Sequence, residues 1–169
     1  MRALYVLLVA ALASACATHP AVEPRSQTEL SKFEENLKLS LSPEQNQVIP
    51  GRQLAVKFTL HNSGSEDLEP CLAERGGIQF FGLDQHYLEA AELSVVDHPF
   101  CKTPLSVASG ESVSWSKEIR VPSLPSSTAK LVASIYLVPT SGCDHLGCDG
   151  ISLSAEASPI TVTSEASRR

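Results

Sequence analysis

The sequence predicts an antiparallel β-sandwich. At least six short segments alternate apolar and polar residues with period two, turn residues separate them, and little helical spacing is present. Period two sends successive side chains to opposite sheet faces, so a strand with one buried face is written directly into the order of its residues. The chain has 169 residues, enough for one domain with a hydrophobic core and short for two. Its 13 basic and 19 acidic residues give a formal charge of −6, which argues against a nucleic-acid partner and against a polybasic lipid contact.

The elements follow in chain order. Ala17 to Ser26 is polar with two prolines and reads as a tether, extended to residue 35; its reach is at most ~65 Å when extended and about 25 Å as a coil. Within it, Ser26-Gln-Thr-Glu29 has capping-box form, and Leu30, Phe33 and Leu37 share helical spacing, which predicts a short helix ahead of the fold. From residue 37 the period is two. Leu37, Leu39 and Leu41 alternate with Lys38, Ser40 and Ser42. Leu54, Val56, Phe58 and Leu60 then alternate with Ala55, Lys57, Thr59 and His61. Pro50-Gly51 supplies the intervening turn, and Asn62-Ser63-Gly64 ends the second strand with residues that tolerate positive φ.

Residues 72 to 107 are less regular. Ile78 to Phe81 and Leu93 to Val96 are candidate strands, and Tyr87 to Leu93 is a candidate helical turn. After Gly110, Val113, Trp115, Ile119 and Val121 share a face, with Lys117 interrupting it as at a bulge or an edge, and Pro122 closes the segment. Ala129 to Val138 is apolar on both faces except at Lys130, Ser134 and the Tyr136 hydroxyl, the pattern of a central strand. Ile151, Leu153, Ala155 and Ala157 alternate again, but the apolar phase moves to Ile160 and Val162. That predicts a register shift at Pro159 and a last strand that lies at an edge or switches sheets.

The stretch Leu54 to Gly64, followed by Ser109-Gly-Glu-Ser-Val-Ser-Trp115 and a final hairpin, resembles immunoglobulin-like domains of bacterial surface and periplasmic proteins. More faintly, its strand-Asn-x-Gly pattern is similar to that of proteinase-inhibitor sandwich domains. The resemblance covers about residues 37 to 163 and implies an immunoglobulin-like arrangement; separately, the inward position of Trp115 in its strand reads as a core residue. Cys71 follows the second strand and Cys101 falls in a loop, so neither is placed for the usual bridge between facing sheets.

Met1-Arg2, the apolar run Ala3 to Leu12 and the small residues Ala13-Ser14-Ala15 precede Cys16, and together they resemble the lipobox of a bacterial lipoprotein, although Ala13 stands where that family favours Leu. Ala13-x-Ala15 also satisfies ordinary secretory cleavage, which would release a soluble protein. The resemblance implies cleavage before Cys16, a diacylglyceryl thioether on it and usually a third acyl chain. Two or more chains hold a protein stably on a bilayer where one binds marginally. Ala17, where the family's inner-membrane retention signal has Asp, points to the outer membrane. The organisation expected is a signal peptide over 1–15, the acylated cysteine and tether over 16–35, the sandwich over 36–163 and a flexible tail over 164–169.

Cysteine parity favours the anchored form. With Cys16 acylated, Cys71, Cys101, Cys143 and Cys148 form an even set, as an oxidising compartment favours. Three pairings are open; the preferred one is Cys143 with Cys148, closing a short loop between strands, and Cys71 with Cys101, joining segments outside the clear strands. The first closure contributes about 2 kcal/mol and the second about 3.7 kcal/mol by chain entropy. Cys143, Asp144, His145, Cys148 and Asp149 are the one cluster of metal-ligand types, but zinc would need free thiolates there, so neither a metal nor a cofactor is expected. Copper lacks thioethers in the mature chain, because Met1 is the only methionine.

No Gly-x-Ser-x-Gly and no phosphate-cradling glycine motif occurs, and His61, His86, His98 and His145 are scattered. His86-Tyr87 with Asp97 and His98 is the nearest approach to a catalytic constellation, and nothing in the sequence gathers it. A catalytic role is therefore not expected. The reading is a lipid-anchored envelope protein that binds or scaffolds another envelope protein, through the 141–150 loop or the 82–108 region. The alternatives are a proteinase or hydrolase inhibitor presenting a disulfide-held loop and, behind it, a metal-binding or catalytic domain.

Overall fold

The computed structural model describes residues 24–83, 86–91, 104–140, 143–144, 147–148 and 149–163. A helix, α1 (Pro24–Asn36), leads into β1 (Leu37–Pro43), β2 (Gln47–Val48), β3 (Gln53–Asn62), β4 (Pro70–Phe81) and β5 (Tyr87–Ala91). The chain continues through β6 (Ser112–Arg120), β7 (Thr128–Pro139), the short β8 (Cys143–Asp144) and β9 (Gly147–Cys148), β10 (Ile151–Glu156) and β11 (Ile160–Val162). One sheet has the order β1-β3-β6, and the second runs β2-β11-β7-β4-β5 with β10 also paired to β7. The fold is an immunoglobulin-like β-sandwich, antiparallel except where β2 lies parallel to β11.

The alternation in the sequence is the alternation in burial. Leu54, Val56, Phe58 and Leu60 of β3 are buried, as are Ala129, Leu131, Ala133, Ile135 and Leu137 of β7. Ile78 and Phe80 of β4 join them, and the core lies between these two inner faces. Ala133 stands opposite Ile78, and small residues beside large ones let the layers interdigitate. Burying each of the larger side chains contributes roughly 1.5–3 kcal/mol.

As expected for an apolar strand, β7 is central, with β4 on one side and β10 followed by β11 on the other. The shift at Pro159 is real: Ile151 pairs with Leu137, but Ile160 pairs with Ala129, one residue out of step with the β10 ladder. Ala157 still donates to the Leu131 carbonyl, and Pro159, which has no N–H to offer, occupies the interruption. The last strand, however, neither switches sheets nor lies at an edge. β11 stays beside β7 and is covered on its other side by β2, a two-residue strand with too few positions to show a period.

Other expectations are revised. Lys117 marks an edge and no bulge: β3 and β6 pair without a break from Gln53 with Arg120 to His61 with Ser112, and β6 ends its sheet. Tyr87 starts a strand and not a helical turn, because Tyr87 to Ala91 pair back onto Ile78 to Phe81, with Tyr87 edge-on to Phe81 at 5.8 Å. Leu93 to Val96 lie outside the described residues. Trp115 is half-buried at the core margin, stacked on its cross-strand partner Phe58 at 5.5 Å and 5° between planes.

The helix reaches further than its spacing suggested and occupies much of the expected tether. It begins at Pro24, a residue the first helical turn accommodates, which puts Ser26 inside the helix and not at its N-cap. Leu30, Phe33 and the following Leu37 turn onto the core, and α1 touches β1, β7 and β10. It thereby covers the side of the sandwich where β1 and β10 run along the margins of their sheets.

Asn62 gathers the loops at one end. It continues the inward phase of β3 and is fully buried, the one polar side chain among the described residues to be so. Its Nδ2 donates to the carbonyls of Glu66 at 2.8 Å and Val107 at 3.0 Å, while its Oδ1 accepts from the Gly64 N–H at 2.9 Å. Its backbone N–H donates to Glu111 and its carbonyl accepts from Gly110. The two Nδ2 partners are carbonyls, which only accept, so the orientation of the amide is fixed. Ser63 in turn donates through both its N–H and its Oγ to the Asn36 carbonyl, which ends α1.

Gly64 serves this junction by its size. A Cβ there would lie 2.8 Å from Asn36 Cγ; among the described residues the glycines with positive φ are Gly51, at 81° in the Pro50-Gly51 turn, and Gly110, at 75° before β6. The exposed Lys32–Glu66 pair adds at most about 1 kcal/mol.

Replacing Asn62 by Asp tests the junction. The variant keeps the size but turns the donor into an acceptor facing two carbonyls, and should lose roughly 2–4 kcal/mol. The expected result is a lower urea midpoint with an unchanged denaturant slope.

Candidate functional site

Pro139, the last residue of β7, stands opposite Pro70, the first of β4. On the far side of β4 the chain returns, with Pro104 bridged to Cys71 and Val107 to Leu68. Hydrogen bonds from Leu105 to Pro70 and between Leu68 and Val107 hold that return in place. The β8–β9 hairpin follows β7 at the same end, so the 141–150 loop and the closing part of the 82–108 region, seen as separate surfaces in the sequence, flank a common pair of strand ends. The opening part of 82–108 belongs elsewhere. Gly82 donates to the His86 carbonyl in the turn before β5, and Leu83 and Tyr87 are exposed near the other end of β4.

Cys71 is disulfide-bonded and 1% exposed, and it pairs with Val138. It lies within β4, which corrects its expected position outside the strands. The apolar alternation that marks β4 begins only at Ile78, beyond a slip of two residues between Ala73 and Gly76, so its first half has no clean period. Cys101, its expected partner, lies outside the described residues, as does Cys16. Cys143 and Cys148 are register partners in β8 and β9, with Asp144 opposite Gly147. Directly opposed antiparallel residues have Cα atoms about 4.5–5.5 Å apart, inside the range that a disulfide spans.

Gly150 seats the exit of the hairpin against β7. A Cβ added there would lie 2.5 Å from the Leu137 carbonyl oxygen and 2.7 Å from the Tyr136 ring, so only glycine lets the chain pass this close. β10 then starts at Ile151 opposite Leu137, in the register that sets the inward phase of the strand.

Among the described residues no three or more His, Cys, Asp or Glu side chains come together as a metal would require, and no helix is long and apolar enough to cross a membrane. His145, Asp97 and His98 lie outside those residues. His61 has Ser112 Oγ at 3.0 Å from Nδ1, but the Glu111 carbonyl is 3.1 Å from the same nitrogen. As a donor Nδ1 serves the carbonyl, and as an acceptor it serves the Ser112 hydroxyl. Asn62 is the residue whose role the sequence reading missed, and its signal was present: it falls in the same phase as Leu54, Val56, Phe58 and Leu60.

No family model and no curated protein matches this chain. Among solved structures it is similar to the sporulation control protein Spo0M of Bacillus subtilis, with 14% identity over 75% of this chain and 49% of that one at a TM-score of 0.42. A CARDB domain from Pyrococcus furiosus gives 10% identity over 78% and 97% of the two chains at 0.39. The ASH/PapD-like domain of human CEP192 gives 12% over 88% and 96% at 0.36. The chain spans about half the length of the Spo0M chain.

The seat of the hairpin is testable by Gly150→Ala. Displacing Leu137 or Tyr136 should cost roughly 1–3 kcal/mol and lower the thermal midpoint by several degrees, read by differential scanning calorimetry.

Proposed function

We propose that this protein is a lipid-anchored envelope protein that presents the β8–β9 end of its sandwich to another envelope protein, as a binding or scaffolding module. The observation that carries the reading is the register of Cys143 opposite Cys148 together with the disulfide of Cys71. A Cys143–Cys148 bridge and a Cys71–Cys101 bridge use the four downstream cysteines and leave Cys16 for acylation, in the lipobox-like setting of residues 1–16. The short bridge would staple a hairpin already seated by Gly150, giving a partner a surface whose ordering entropy is spent before binding.

Because α1 begins at Pro24, only residues 17–23 remain between the proposed anchor and the folded domain. Their greatest extended reach is ~25 Å, so the domain is held near the bilayer and does not range far from it. Partners within the same envelope layer are therefore favoured.

The test has two parts. In native cells the wild type should partition with membranes and Cys16→Ser should appear in the soluble fraction. Non-reduced peptide mass spectrometry should show Cys143 joined to Cys148 and Cys71 to Cys101. An unchanged partition for Cys16→Ser, or free thiols at Cys143 and Cys148, would contradict the reading.

A further inference from the structure

The outer face of the β1-β3-β6 sheet carries a chemistry at odds with the rest of the chain. Because Leu37, Leu39 and Leu41 turn inward, their neighbours turn out, and the register aligns them in three rows. Lys38, His61 and Ser112 form the first row. Ser40, Thr59 and Ser114 form the second. Ser42, Lys57 and Ser116 form the third. All nine positions are exposed or half-exposed. None of them is a carboxylate or an apolar side chain, although the whole chain has 19 acidic residues against 13 basic. Carboxylates return in the following row, where Glu118 stands opposite Ala55 and the Glu44 N–H donates to the Ala55 carbonyl from the other side, with Arg120 beyond.

The face is also ordered. Thr59 Oγ1 and Ser114 Oγ are 2.8 Å apart, Ser40 Oγ donates to the Thr59 carbonyl at 3.4 Å, and His61 Nδ1 meets Ser112 Oγ at 3.0 Å. A face selected for solubility alone mixes both charge signs. The three rows offer two ammonium groups on a bed of hydroxyls, and carboxylates return only beyond them, at Glu44 and Glu118.

The geometry points to this face as a docking surface for an acidic glycan whose negative groups are sugar carboxylates. Charge complementarity and hydroxyl density argue for it. A protein partner would want aromatic or aliphatic anchors at the centre of the patch, and a bilayer would want apolar side chains to insert; the face has neither. Phosphate recognition favours arginine forks or free backbone N–H groups, whereas here the central backbone groups are engaged in the ladders and the three rows hold lysine without arginine. A pleated face with strands about 4.8 Å apart presents its hydroxyls at spacings an extended sugar chain can follow. This surface is distinct from the β8–β9 end and does not depend on acylation of Cys16.

The test titrates the full-length protein, purified in detergent, with fluorescent polygalacturonate oligomers, matched dextran and inorganic polyphosphate. Polygalacturonate should bind and dextran should not. Lys38→Gln with Lys57→Gln should weaken binding by about tenfold or more and flatten its salt dependence, while Lys117→Gln, off this face, leaves both unchanged. Failure of the folded protein to bind polygalacturonate, or binding indifferent to the double substitution, would overturn the proposal. So would equal binding of polyphosphate. A lysine-dependent preference for phosphatidylglycerol vesicles over phosphatidylcholine vesicles, without polygalacturonate binding, would assign the face to a membrane surface instead.

Discussion

The buried carboxamide of Asn62 is the constraint on which one whole end of this sandwich depends. A buried amide left unpaired would cost several kcal/mol, so its place at the end of β3 is tenable only because the chain returns at Gly64, Glu66 and Val107 to satisfy it, while Gly110 and Glu111 pair with the Asn62 backbone. That requirement draws together the crossing from β3 to β4 and the approach to β6. Ser109 strengthens the same closure, donating through Oγ to the Gly64 carbonyl and through N–H to Asp67. The end of α1 joins through Ser63 and through the close fit of Gly64 against Asn36. Hydrophobic burial sets the two layers; this polar junction sets how they are joined.

The consequence for function is positional. With the junction closed, Leu68 and Cys71 run beside Val107 and Pro104, and the end of β7 delivers the β8–β9 hairpin next to them. The disulfide at Cys71 and the opposed Cys143 and Cys148 therefore belong to one end of the domain, although they are far apart in sequence. The proposed glycan face lies elsewhere, on the outer side of the first sheet, so the two surfaces can be occupied together.

What was legible in the sequence is what depends on period. β1, β3 and β7 announce themselves by alternation or by apolar content on both faces, and the one-residue phase change at Pro159 reports a true slip between β10 and β11. β2 was invisible because two residues carry no period, and β5 because Tyr87 to Ala91 has no clean alternation and is defined by pairing with β4. The first half of β4 was obscured by its slip between Ala73 and Gly76. Asn62-Ser63-Gly64 ends β3 as its residue types indicate, but for a reason other than tolerance of positive φ. These residues satisfy buried hydrogen bonds and a tight approach, and no positive φ at Gly64 is needed. The cysteine partners were named by parity and spacing, and register supplies the opposition of Cys143 to Cys148 that spacing alone leaves open.

Native-state amide hydrogen exchange on the wild-type protein tests the central claim most directly. If the Asn62 junction closes as part of the cooperative core, the N–H groups of Ser63, Gly64, Leu68 and Val107 should exchange only with an opening free energy close to that of Leu131 and Ile135 in β7. Exchange of those four through a separate, low-energy opening, with β7 still protected, would show that the sandwich stands without the junction and would contradict the account.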